Sequence, residues 1–357
     1  MLRSLLYGAQ RNNMRAIKKR HSSLFAKLAV HTPDNMKKDF DHAVSLVQKY
    51  DPSGYLPGLL VSTNSARIGY FAVRAFYIDS GLRMRTASLE NSLSHSNQVG
   101  GVGKRGIEIP NDERIEMWRK GLDAVYNGDN EVLNSNPTLR LLHHVVNKHE
   151  LSQKHFDKIL LGREIDVDMK QYPTLESLKE HSVMFCGSLL YLVLECIGVK
   201  QEDEVVMKAA EHAAICHGLT NSLRLSIPTV SSTGKVIIPR DLCEKHGIKS
   251  PRYLLSALGM GDEECKQNMQ RAVEEISLVA RNHLALARNL RDDIISTSSL
   301  GKDAVSAFLP LLPSEIFLDR LAAHHHDLTN RSLRSVSLVE HARCSVRLLT
   351  ASVQKQY

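Results

Sequence analysis

Apolar residues along this chain recur mostly at three- and four-residue steps, and alternation of apolar with polar positions is scarce, so the pattern predicts helix. The central case is residues 205–247. Val206, Ala209, Ala210, Ala213, Ala214 and Cys216 share one broad face of small side chains there, and with Gly218 they let another helix or a ligand come close. Ser226, Pro228, Ser231, Ser232 and Gly234 are then expected to break the helix into an irregular loop. A short apolar run, Val236-Ile237-Ile238, follows and ends at Pro239.

The same period predicts helices over 34–50, 66–85, 115–126, 137–147, 153–163, 251–258, 263–290 and 303–309, and an amphipathic one over 338–353. Thr174 reads as the N-cap of a further helix, with Glu176 in its first turn. Residues 86–112 are rich in Ser, Asn and Gly and predict a long, flexible polar loop. Its Gly100, Gly101 and Gly103 follow no strand, so they make no nucleotide-binding turn. With no internal repeat, the expectation is one all-α domain over 34–357.

Charge changes the picture only at the start of the chain. The net charge is +7, and residues 1–33 hold seven bases (Arg3, Arg11, Arg15, Lys18, Lys19, Arg20, Lys27) and no acid. The remainder is balanced, so the basic pI gives no argument for nucleic acid as a partner. A basic, Ser-containing, acid-free opening predicts a mitochondrial transit peptide over 1–33. The cysteines (186, 196, 216, 243, 265, 344) show no C-x-x-C spacing and read as free thiols. No apolar run reaches the ~18–20 residues that span a bilayer. The best, Leu189 to Val199, contains Glu195 and reads as a core helix.

Several segments resemble the squalene/phytoene synthase family. Gly218-Leu219-Thr220-Asn221, Leu223-Arg224 and the run Val236 to Pro239 are similar to that family's late active-site helix and the segment after it. Gly162 to Tyr172 with the following Pro173-Thr174-Leu175-Glu176, the Trp118-Arg119 pair, and Phe308-Leu309-Pro310 are similar to other family patterns. The resemblance implies an isoprenoid-synthase-type helical fold. It also implies where the magnesium-binding aspartates of the enzymes fall: Leu225 and Thr229 on the late helix, Asp79 and Arg83 on the early one. Three of these are not acids, and no Asp or Glu lies between Glu211 and Asp241. Two carboxylates one helical turn apart hold a metal–diphosphate cluster because both face one side. Leu and Thr lack that charge, and Asp79 with Arg83 reads as an i,i+4 ion pair. Asp166 and Asp168, before Tyr172, are expected to cap or flank the next helix, and Arg67 and Arg74 to be solvated or ion-paired rather than a phosphate clamp.

The expected catalytic, cofactor-binding and metal-binding residues are therefore none, and the expected cofactor is none. Ser188 to Leu192 and the basic, Tyr-ended 345–357 segment are most similar to a non-catalytic mitochondrial branch of the family that assists assembly of respiratory complex I. That implies complex I subunits or assembly intermediates as partners, a matrix location, and peripheral contact with the inner membrane. Two alternatives stay open: an active prenyl transferase with a magnesium site rebuilt from Asp79, Asp166 and Asp168, and a helical barrel holding a lipid without turning it over, into which Leu225 would intrude. The histidines at 143, 144, 149 and 155 read as structural. His324-His325-His326, if helical, diverge by about 100° each and do not chelate together.

Overall fold

The computed structural model describes residues 34–81, 110–200, 202–249, 263–297, 300–334 and 338–357. The segment 1–33 expected to be a transit peptide, residues 86–109 of the predicted loop, the helix predicted over 251–258 and Arg83 lie outside these. Along the described chain the helices are α1 Asp34–Tyr50, α2 Pro52–Leu59, α3 Asn64–Asp79, α4 Asn111–Asn127, α5 Asn130–Asn134, α6 Pro137–His149, α7 Gln153–Asp168, α8 Leu175–Ser182, α9 Ser188–Ile197, α10 Glu204–Thr233, α11 Arg240–Lys245, α12 Glu263–Asn289, α13 Arg291–Thr297, α14 Gly301–Ala304, α15 Leu311–Ala323 and α16 Leu338–Gln354. The architecture is all-α. The one β feature among the described residues is a single parallel bridge, Gln171 with Val236.

Local chemistry sets most of the boundaries. Thr174 caps α8 with its hydroxyl on the Ser177 amide, and Ser177 answers with its own hydroxyl on Thr174. Gly128, Gly198 and Gly234 end α4, α9 and α10 in the left-handed conformation. α4 begins at Asn111, four residues before the predicted start, because Asp112 and Glu113 suit the positive end of a helix.

α3 and α10 organise the core. α3 is buried nearly all round, from Ala66 to Phe76. α10 belongs to two apolar clusters. Its first half (Val206, Ala209, Ala210, Ala213, Cys216) joins the cluster built on α1, α3, α6 and α9. Its second half (Leu219, Leu223, Val230) joins one built on α12 and α15.

α10 also corrects the sequence reading. The helix does not break at Ser226; it continues through Pro228 to Thr233. Proline removes one helical donor, but Leu223, Ser226 and Val230 stay on a packed stripe either side of it. The hydroxyls of Ser226, Ser232 and Thr233 bond back to the carbonyls of Ser222, Pro228 and Thr229. Tertiary packing outweighs the local preference.

α8, a π-turn at Val183–Gly187 and α9 form one continuous run. Its Leu175–Ile197 span is long and apolar enough to cross a membrane, contrary to the sequence estimate, yet 61% of its most apolar window is buried in the protein. α16 lays Leu348 and Ala351 on Leu309 and Leu312, while its Val346 and Val353 stay exposed.

Candidate functional site

α3, the π-turn, α9, α10 and the 307–311 segment converge on a small cavity of about 30 Å³. α3 contributes Tyr70 and Arg74. The π-turn and α9 contribute Cys186, Leu189 and Val193, α10 Ala213, Ala214 and His217, and the 307–311 segment Phe308 and Leu311. A cavity that size holds one or two waters.

Its polar groups satisfy one another. Arg74 is buried, ion-paired to Asp51, and lies 4.8 Å from the Tyr70 ring centre. The other oxygen of Asp51 accepts from Ser53 (2.8 Å) and from the Gly54 amide (3.0 Å), capping α2. The Tyr70 hydroxyl donates to the Gly54 carbonyl at 2.8 Å. Arg74 thus ties α3 to the α1–α2 junction, ion-paired as expected but from a buried position. Its partner in the sequence reading, Arg67, instead donates to the Val61 carbonyl at 2.7 Å.

On α10, Arg224 donates to Asn221 (3.1 Å) and Asn221 lies 2.9 Å from His217 Nε2. His217 Nδ1 lies 3.0 Å from Ser314 Oγ. One protonation pattern satisfies the chain: Asn221 donates to Nε2, and Nδ1–H donates to Ser314. Burial first, and Arg74 next, push the His217 pKa down to about 4, consistent with a neutral ring. The motif residues Thr220, Asn221 and Arg224 therefore brace α10 internally and against α15. Gly218 is used for close approach: a Cβ there would overlap Ser182. Burial pushes the Cys186 thiol up to about 12, so it is no nucleophile.

The predicted positions are not brought together. Leu225 is 51% exposed and, like Thr229, does not line the cavity, so it does not intrude there as expected. Asp79 accepts from the Thr138 hydroxyl of α6 at 2.6 Å, and burial raises its pKa. Asp166 does not cap α8, which Thr174 does. It sits inside α7, 2.5 Å from Lys235 Nζ and 3.2 Å from the Tyr172 hydroxyl. This pair and the amide of Val236 on the Lys170 carbonyl (2.9 Å) lock the segment after α10 onto the end of α7.

A magnesium–diphosphate cluster requires carboxylates facing one another across open space. The cavity lining offers an arginine already bound to Asp51, an imidazole, a phenol and a thiol. These residues do not fit that cluster. The histidines are structural: His143 lies 2.6 Å from the Val125 carbonyl and His149 2.8 Å from Ser65. His324 to His326 are in a turn after α15, not on a helix, so the divergence argument does not apply. His325 and His326 take positive φ, and both nitrogens of His324 meet Asn330 or Ser332. Sequence reasoning missed Asp51 as the partner of Arg74, and it missed the π-turn.

The fold is that of the all-helical squalene synthases and their relatives. The structure superposes on a dehydrosqualene synthase with TM-score 0.64 at 16% identity, covering 89% of this chain and 98% of that one. With the squalene synthase from Alicyclobacillus acidocaldarius the TM-score is 0.61 at 16% identity, covering 83% and 97%. The squalene/phytoene synthase family pattern matches residues 85–343, and the chain belongs to that family. NADH dehydrogenase (ubiquinone) complex I, assembly factor 6, of Bos taurus is 28% identical over 293 residues, 82% of this chain and 77% of that protein.

Proposed function

We propose that this protein is a non-catalytic member of its family that acts in mitochondria as an assembly factor for respiratory complex I. The observation that carries the loss of chemistry is the occupancy of the site. Leu225 and Thr229 stand where the resemblance puts the acids, Asp79 is turned to Thr138, and the small space lined by α3 and α10 presents Arg74 already paired with Asp51. The similarity to assembly factor 6 supports the assembly role and the choice of partner, complex I subunits or assembly intermediates. The acid-free basic opening of the chain supports import to the matrix. Association with the inner membrane then follows from where complex I resides.

The test is deletion of the gene followed by native-gel measurement of assembled complex I. Loss of the complex, restored by the intact gene, is the expected result; normal levels overturn the reading. The lipid-holding alternative has little support from a cavity of about 30 Å³, since sites for drug-sized ligands run to hundreds of Å³. Mass spectrometry of gently purified protein decides it, and a co-purifying isoprenoid would restore it.

A further inference from the structure

We propose that His212 and His283 form a two-histidine site for a divalent transition ion of the zinc type, spanning α10 and α12. Their Nδ1 atoms are 3.2 Å apart, with ring centres 5.2 Å apart and ring planes inclined at 59°. A tetrahedral ion with Zn–N bonds of about 2.0–2.1 Å sets two of its nitrogens about 3.3 Å apart. The pair already has that spacing.

Both rings stand on rigid backbone. Ala209 and Ala213 are buried beside His212, and Ala280, Leu284 and Ala287 are buried beside His283. Each ring is half-buried, which leaves a solvent route for the ion and for the waters that complete its shell. No third His, Cys, Asp or Glu joins the pair among the described residues, so the site is an open, exchangeable one rather than a closed structural centre. Imidazole ligands favour zinc, copper or nickel over magnesium or calcium.

The surroundings permit a cation. Glu211 and Lys208 lie near His212, and Glu176 and Lys179 near His283, so acid and base offset each other at both rings; Lys179 is itself paired with Glu176 at 2.6 Å. The competing arrangement is a plain hydrogen bond, which needs one ring to carry its proton on Nδ1. Neither Nε2 has a protein partner among the described residues that would enforce that tautomer. The site joins the two longest described helices, so an ion bound there staples the two halves of the core interface.

The experiment titrates metal-free full-length protein with Zn²⁺ at pH 7.5 and follows heat of binding and melting temperature. The expected result is one ion whose binding disappears in both His212→Gln and His283→Gln. A melting-temperature rise of about 5 °C at a hundredfold excess over Kd is likewise lost in both. His325→Gln, at the exposed histidine turn, retains the full effect. Equal binding and equal shift in the two site variants overturn the proposal. As a check that needs no variant, Cu²⁺ bound to the intact protein is expected to show two equivalent imidazole nitrogens in its electron-spin spectrum, and a signal from fewer than two overturns it.

Discussion

Asp51 and Arg74 are separated by 23 positions in the chain, yet they meet as an ion pair beside the cavity, Arg74 buried and Asp51 half-buried. Arg74 Nε has no further hydrogen-bond partner among the described residues, so Asp51 is the main compensation for its buried charge. Removing one member of a buried pair strands the other, at a cost of roughly 3–5 kcal/mol. Arg74→Met and Asp51→Asn are each expected to lower the unfolding free energy measured in urea by that order. The double variant is expected to cost clearly less than the two single costs added together, which a double-mutant cycle measures.

Gly218 is expected to tolerate no side chain. Gly218→Ala drives a methyl into Ser182, where α10 crosses the end of α8, and the loss is expected at about 1–3 kcal/mol. Ser182→Gly on the same background is expected to recover part of it. Both are read from denaturant midpoints with unchanged slope.

Stability is expected to fall in mild acid. His217 has a folded pKa near 4 against an ordinary 6.5, so below about pH 6.5 the unfolded chain takes up a proton that the folded one refuses. The contribution is complete above pH 6.5 and is lost as pH drops toward 4, to a limit of roughly 3 kcal/mol. His212, His283 and His181, also lowered by burial, add to the same slope. Unfolding free energies measured between pH 7.5 and 4.5 are expected to decline more gently in His217→Gln.

Restoring two acids is not expected to restore chemistry. Leu225→Asp with Thr229→Asp returns the late pair, but the early pair is still missing and the cavity is still only about 30 Å³. Incubation with Mg²⁺ and radiolabelled farnesyl or geranylgeranyl diphosphate is expected to give no condensed product. Product from this variant but not from the unaltered protein would show that the residues at 225 and 229 alone withhold turnover.

Periodicity located α1, α6 and α12 almost to the residue, because each presents one wet face and one dry face and carries its own start signal. It failed at Pro228, where the deciding contacts come from α12 and α15 and not from the neighbours in sequence. The lack of charge at Leu225 and Thr229 is a property of residue type alone, while the choice of those two positions rests on the family resemblance. The tie of Asp79 to Thr138, 59 positions away, and the salt bridge from Asp166 to Lys235, 69 away, were not readable, since nothing local marks a partner that distant. The π-turn left no sequence signal either: its five residues fit an ordinary helix equally well.

The bridge between Gln171 and Val236 has a kinetic consequence. Its Gln171 side chain reaches the Ile238 carbonyl across 67 positions, so closing that junction confines a long intervening segment before any local reward is collected. Helices such as α8 to α10 can form from near neighbours on the fast timescale, while this seam must wait for them to dock. In a refolding experiment the amides of Val236 and Arg240 should therefore be among the last to gain protection from exchange.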